Sequence, residues 1–106
     1  MMLGQFNVYR NCSAQTNKTL PYYMIVQNDY YADLATRVII PLIRPQQLPR
    51  WHQHVVPRIN IKFDSFLLCT PMISNLNNKR IPPQDFVCNL SHARQGVIDS
   101  IDTLIT

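Results

Sequence analysis

The side chains that could carry chemistry in this chain are few and widely spread. His52-Gln53-His54 would place two imidazoles on one face of an extended segment, which is the beginning of a zinc site. Zinc needs three or four protein ligands, and the remaining histidine, His92, lies far along the chain, so no metal is expected. Cys12, Cys69 and Cys88 form no Cys-x-x-Cys pair, and an odd number of cysteines reads as reduced thiols in a reducing compartment. Cys69 follows Phe66-Leu67-Leu68 and Cys88 follows Phe86-Val87, which suits small buried hydrophobes better than nucleophiles. A catalytic thiol needs a positioned base, and none stands nearby in sequence. The acids Asp29, Asp33, Asp64, Asp85, Asp99 and Asp102 fall at turns and on a helix, with Asp99 and Asp102 on its polar side. They form no pair arranged for acid–base work. No catalytic residue and no cofactor is therefore expected.

Composition narrows the classes further. The chain has 106 residues, 46% of them apolar and 15% charged, against roughly 25% charged in an average domain. That balance implies one folded domain, residues 1–106, rather than a disordered chain. With Gly 2 in the whole sequence, the Gly-rich loops that cradle phosphates in nucleotide folds are excluded. The formal charge is +4, but the basic residues from Arg10 to Arg94 are scattered and form no stripe, so direct nucleic-acid binding is not expected. The apolar runs 38–43 and 66–69 fall far short of the roughly 20 residues that span a membrane. The first residues lack the basic and apolar regions of a secretory signal. A soluble, cytoplasmic protein is expected.

The elements that must position these groups read mainly as strands. Residues 5–9 alternate polar and apolar, the period-2 pattern of a strand with one face buried. Residues 21–27 make a second strand, which Asn28-Asp29 ends as a turn. Residues 37–43 are continuously apolar, as in a strand buried on both faces, and Pro41 must then mark a bulge or an edge. Residues 58–63 and 65–69 form a tight antiparallel pair about Asp64, residues 71–76 are open between strand and turn, 77–80 are a loop and 84–88 a last short strand. The period then changes: Val97, Ile98, Ile101, Leu104 and Ile105 fall on one helical face, with Ser91 as the natural N-cap. Gly96 weakens the first turn of that helix by roughly 1 kcal/mol relative to Ala. In each of the pairs Tyr22-Tyr23 and Tyr30-Tyr31, one ring is expected to pack inward and the other to be free to anchor a partner. Strands followed by one terminal helix define a mainly antiparallel β domain with the helix laid against it.

Six motifs in this order and spacing carry a family resemblance: Gln5-Phe6-Asn7-Val8-Tyr9, Val26-Gln27-Asn28-Asp29, Arg37-Val38-Ile39-Ile40-Pro41-Leu42, Pro57-Arg58-Ile59-Asn60-Ile61, Thr70-Pro71-Met72 and Leu90-Ser91. From Gln5 to about Ile105 the chain resembles the CcdB family of plasmid-addiction toxins, which poison DNA gyrase. The resemblance implies a small SH3-like sheet of the CcdB–Kid type, about five strands plus a minor sheet, with one C-terminal helix. It implies a homodimer that is not an enzyme, wedges into the gyrase A subunit and traps the gyrase–DNA cleavage complex. It also implies a CcdA-like antitoxin that wraps a disordered tail around the toxin.

Positions that touch gyrase in the family map onto Gln5 and Phe6, which match. They map also onto Asn28, Tyr30 and Tyr31, where the family usually has a serine and two aliphatic residues. Through the helix, Asp102 and Ile105 fall at contact positions and Thr106 where a tryptophan commonly sits. The Gly-Ile that usually closes the tail does not follow, which implies weakened poisoning. Two other readings stay open. One is an endoribonuclease of the Kid/MazF type, which needs an arginine, an acid and often a histidine or threonine gathered at a basic groove; Arg37, Arg58, Asp64 and His54 are the residues available. The other is a non-toxic homologue that still binds antitoxin.

Overall fold

The third strand organises the molecule. In the computed structural model, which describes residues 3–48 and 56–105, the chain runs through β1 (Asn7–Arg10), β2 (Tyr22–Ile25), β3 (Thr36–Ile43), β4 (Arg58–Ile61), β5 (Asp64–Leu68), β6 (Ser74–Asn77), β7 (Phe86–Asn89) and α1 (Arg94–Ile105). All pairings are antiparallel. The order is β4-β5-β3-β2-β1-β7, with β6 also on β3. One edge of β3 holds β2 over Ile39–Leu42. The other is shared, with Thr36–Ile39 paired to β6 and Leu42–Ile43 to β5. The sheet curls at this change of partner, and the β4–β5 hairpin continues the same seven-stranded sheet through β5, with no separate minor sheet among the described residues. The expected mainly β architecture with a C-terminal helix is the one found.

Pro41 sits at the changeover. It is neither at a sheet edge nor in a bulge, contrary to expectation: it stands opposite Tyr23 in the ladder, and its carbonyl accepts the Cys69 N–H at 2.8 Å. Proline lacks an N–H to offer a neighbour, so it is tolerated in a central strand where one partner strand has ended and the next has just begun.

Both faces of the sheet are covered. On one side Val8, Met24, Ile40, Leu42, Phe66 and Leu68 pack with Val97 of α1. On the other, Tyr9, Tyr23, Ile25 and Ile39 pack with Ile81. Withdrawing each such side chain from water is worth about 1.5–3 kcal/mol. The first strand is thereby buried on both faces, not one, because β2 and β7 flank it and Val8 and Tyr9 enter different clusters. It also starts later than the alternation suggests. The Asn7 N–H closes a turn onto the Gly4 carbonyl at 3.1 Å, with Phe6 at φ 70.

The helix begins differently from the expectation. Ser91–Ala93 forms a single 3-10 turn, and Asn89 Oδ1 accepts the Ser91 N–H at 3.1 Å, so the side chain that secures this entry lies two positions before Ser91. The apolar stripe is also only partly internal. Val97 and Ser100 are buried and Ile101 packs at the margin of the core, whereas Leu104 is 43% and Ile105 75% exposed. Ser100 explains the turn of the face: its hydroxyl lies 2.9 Å from Thr70 Oγ1 and 2.9 Å from the Val97 carbonyl, so the helix docks on the Thr70–Met72 turn through a satisfied polar contact.

Candidate functional site

Among the described residues the most exposed aromatic side chain is Phe63, in the turn between β4 and β5, and an exposed aromatic pair follows the end of β2. Gln27 cannot continue the strand, because its side chain is committed to the backbone. Its Nε2 donates to the Tyr31 carbonyl at 3.2 Å and the Thr36 carbonyl at 3.3 Å, and its Oε1 accepts the Val38 N–H at 3.3 Å. Asn28 then caps a one-turn 3-10 segment, Asp29–Tyr31, by accepting the Tyr30 N–H at 2.9 Å, the local bond for which Asn is favoured at such positions. Tyr30 and Tyr31 are 83% and 50% exposed and meet edge-to-face with ring centroids 5.1 Å apart. Neither ring of this pair packs inward, which corrects the expectation: a single turn on the surface gives them one another and no core. In the pair Tyr22-Tyr23 the expected division does hold, with Tyr23 buried and Tyr22 half-buried against Phe66.

Gln5 and Phe6 buttress this turn. The Gln5 N–H donates to Asp29 Oδ1 at 2.8 Å, and Gln5 Nε2 donates to the Val26 carbonyl at 3.0 Å. Asn89 Nδ2 holds the Gln5 carbonyl at 3.1 Å. Phe6 is buried in the cluster beneath α1, and its backbone is gripped on both sides by the Ile25 carbonyl and the Leu90 N–H. A bulky residue at positive φ is an outlier that persists only where its surroundings over-determine it; here burial and these two bonds do so. Thus Gln5, Asn28, Tyr30 and Tyr31 come together around Asp29 through the turn and the Gln5–Asp29 bond, while the Phe6 side chain enters the core. Asp102 and Ile105 are exposed on the last turns of α1, which packs against the Thr70–Met72 turn. Thr106 lies outside the described residues.

Two residues of this region were not legible in the sequence. Leu34 is 49% exposed, and its backbone N–H donates to the Tyr31 carbonyl at 3.1 Å, which continues the turn that carries the tyrosines. Arg37 is buried, and its guanidinium donates to the carbonyls of Leu3, Ala32, Leu34 and Thr36 and to Asn78 Oδ1. It ties down the loop that follows the tyrosines. This removes Arg37 from any ribonuclease cluster. Arg58 and Asp64 stand at opposite ends of the β4–β5 pairing, and His54, like His52, lies outside the described residues. Among the described residues no group of His, Cys, Asp or Glu could hold a metal ion.

The thiols divide by burial. Cys69 is buried and Cys88 packs at the edge of the core, and burial pushes both thiols up. Cys12 is exposed and donates to Asp85 Oδ2 at 2.9 Å, a base that lies 73 positions away. That hydrogen bond, then slight burial and the charge of Asp85, hold the Cys12 thiol above its ordinary range. A thiol so held stays protonated and is a poor nucleophile. Among the described residues no helix is long and apolar enough to cross a membrane.

A curled antiparallel sheet backed by one C-terminal helix defines a small, mainly β domain. The family described as CcdB protein matches residues 5–106. The chain belongs to the CcdB family and is a toxin of the toxin–antitoxin class. No curated protein matches it.

Proposed function

We propose that this toxin acts on the DNA gyrase A subunit, binding it as a homodimer and trapping the gyrase–DNA cleavage complex, and that a CcdA-like antitoxin neutralises it. The observation that carries the reading is the pair Tyr30 and Tyr31: two rings largely in water, fixed by Asn28, Gln27 and the Gln5–Asp29 bond, at positions to which the family resemblance assigns gyrase contact. Large aromatic side chains with few rotatable bonds are the usual energetic anchors of protein interfaces. An exposed apolar cluster held rigid without a core role costs solubility unless a partner covers it. The mechanism is non-enzymatic: the chain supplies shape and apolar contact, and the strand-cutting chemistry is that of gyrase.

The homodimer is supported by a second apolar surface. Leu104 and Ile105 near the end of α1 and Met72 in the Thr70–Met72 turn are each exposed, and Leu104 shares a cavity with Thr70 and Pro71 of that turn. A two-fold axis there would cover both copies of this surface and bring helix ends from two subunits into one composite face. Titration of the purified gyrase A subunit tests the proposal. Binding that saturates at one dimer, is lost in the double substitution Tyr30→Ala, Tyr31→Ala and is relieved by antitoxin supports it. Full-strength binding by the double variant contradicts it.

A further inference from the structure

On the face of the sheet turned away from α1 lies a cavity of about 570 Å³. Tyr23 of the second cluster contributes to its lining, together with Arg10 at the end of β1, Cys12, Lys79 and Arg80 in the turn after β6, and Asp85 before β7. These residues come from separate segments, which is why the cations look scattered along the chain. Three cations against one carboxylate leave a surplus of two positive charges. No hydrogen bond or ion pair within the described residues engages the side chains of Arg10, Lys79 or Arg80. Asp85 is already occupied by the Cys12 thiol at 2.9 Å. The phenol of Tyr23, buried and near Asp85, is held in its neutral form and so remains a hydrogen-bond donor.

We infer that this cavity binds a small phosphate monoester of the size of a nucleoside monophosphate, with Arg10, Lys79 and Arg80 as its cationic partners and the Tyr23 hydroxyl as a neutral donor. The charge surplus matches the roughly −1.5 to −2 of a phosphate monoester at neutral pH, whereas a carboxylate or a phosphodiester supplies a single negative charge. Guanidinium forks fit phosphate oxygens in pairs. The volume lies within the roughly 300–1,000 Å³ of small-molecule sites. Among the described residues, Arg37, Arg44 and Arg58 do not extend this basic character into a track for a polymer: Arg37 is buried, the Arg44 guanidinium lies 5.4 Å from the ring of Phe66, and Arg58 is on β4, at the other end of the sheet order from β1 and β7. This inference is independent of the gyrase surface, so its failure leaves that reading standing.

The test is a titration of the full chain, followed by amide NMR shifts and by the rate at which iodoacetamide modifies Cys12. The probes are inorganic phosphate, adenosine 5′-monophosphate, a single-stranded oligonucleotide without a terminal phosphate, and a Glu-rich peptide. The monophosphate should shift the resonances of residues around Tyr23 and Asp85 and protect Cys12. The double variant Arg10→Gln, Lys79→Gln, altered at exposed positions, should weaken binding by roughly tenfold or more, at a charge-assisted hydrogen bond for each residue lost. Asp85→Asn should tighten binding several-fold, a direction that structural damage would not produce. Inorganic phosphate binding more weakly at the same residues also supports the site. No response to either phosphate at millimolar concentration, unchanged binding by the double variant, or preference for the oligonucleotide or the peptide overturns it.

Discussion

The backbone N–H of Gln5 donates to the carboxylate of Asp29 at 2.8 Å, joining the turn before β1 to the turn that carries Tyr30 and Tyr31. The two turns are 24 positions apart in the chain, and the charged acceptor makes this a stronger bond than a neutral pair would form. The brace orients the tyrosines without touching the rings, so its loss should loosen the aromatic turn more than it destabilises the sheet. Asp29→Ala should lower stability by about 0.5–1.5 kcal/mol, the range for a typical hydrogen bond, because exposure to water offsets the gain from the charged acceptor, and should weaken gyrase binding severalfold. Denaturant melting beside gyrase titration checks both. Unchanged binding would show that the tyrosines need no brace.

The helix offers a sharper division between fold and assembly. Val97 is fully buried beneath the sheet, and Val97→Ala should cost about 1.5–3 kcal/mol through lost burial and the cavity left behind. Ile105 is 75% exposed, so Ile105→Ser should leave the melting of the isolated subunit within about 0.5 kcal/mol while weakening the dimer. Sedimentation over a range of concentrations separates the two effects. A dimer that is indifferent to Ile105→Ser removes the helix end from the interface.

Alkaline pH reports on Tyr23. Burial first, then the nearby Asp85, push its phenol above the ordinary value of about 10. As the pH rises the unfolded chain loses this proton first, so the folded state holds the extra proton and stability falls with pH. The stabilising contribution is complete below about pH 10, and its loss begins as the pH passes that value. Tyr23→Phe should flatten this alkaline limb, as read from denaturant melts across it. A limb of unchanged slope in Tyr23→Phe would assign the effect to other groups.

Local pattern revealed the elements better than it revealed their partners. The β-rich composition, the β4–β5 pair and the terminal helix follow from periodicity that neighbouring residues carry, although the hairpin turns at Lys62–Phe63, with Lys62 at φ 57, and Asp64 already pairs with Ile61. Pro41 misled because its tolerance depends on β5 and β6 dividing one edge of β3, a fact of topology. The burial limit of the helical stripe was hidden for a similar reason. Nothing in Leu104 or Ile105 says that Ser100 will seat the helix on Thr70. The Asp85 acceptor of Cys12 stood 73 positions away, and Arg37 looked like any other cation until five acceptors closed around its guanidinium. The aromatic turn was legible as Tyr30-Tyr31 after Asn28-Asp29. That both rings face water was not.

The central claim is that Tyr30 and Tyr31 present this toxin to gyrase, and the most direct measurement is a cleavage-complex assay with purified gyrase, supercoiled plasmid and the intact chain. The account predicts that linear DNA accumulates as the toxin is added and disappears on addition of antitoxin. It further predicts that Tyr30→Ala with Tyr31→Ala lowers the yield by at least tenfold, about 1.4 kcal/mol of lost contact, while leaving the melting temperature nearly unchanged. Linear DNA at full yield with the double variant, or no linear DNA from the intact chain while it cleaves RNA, would contradict the account.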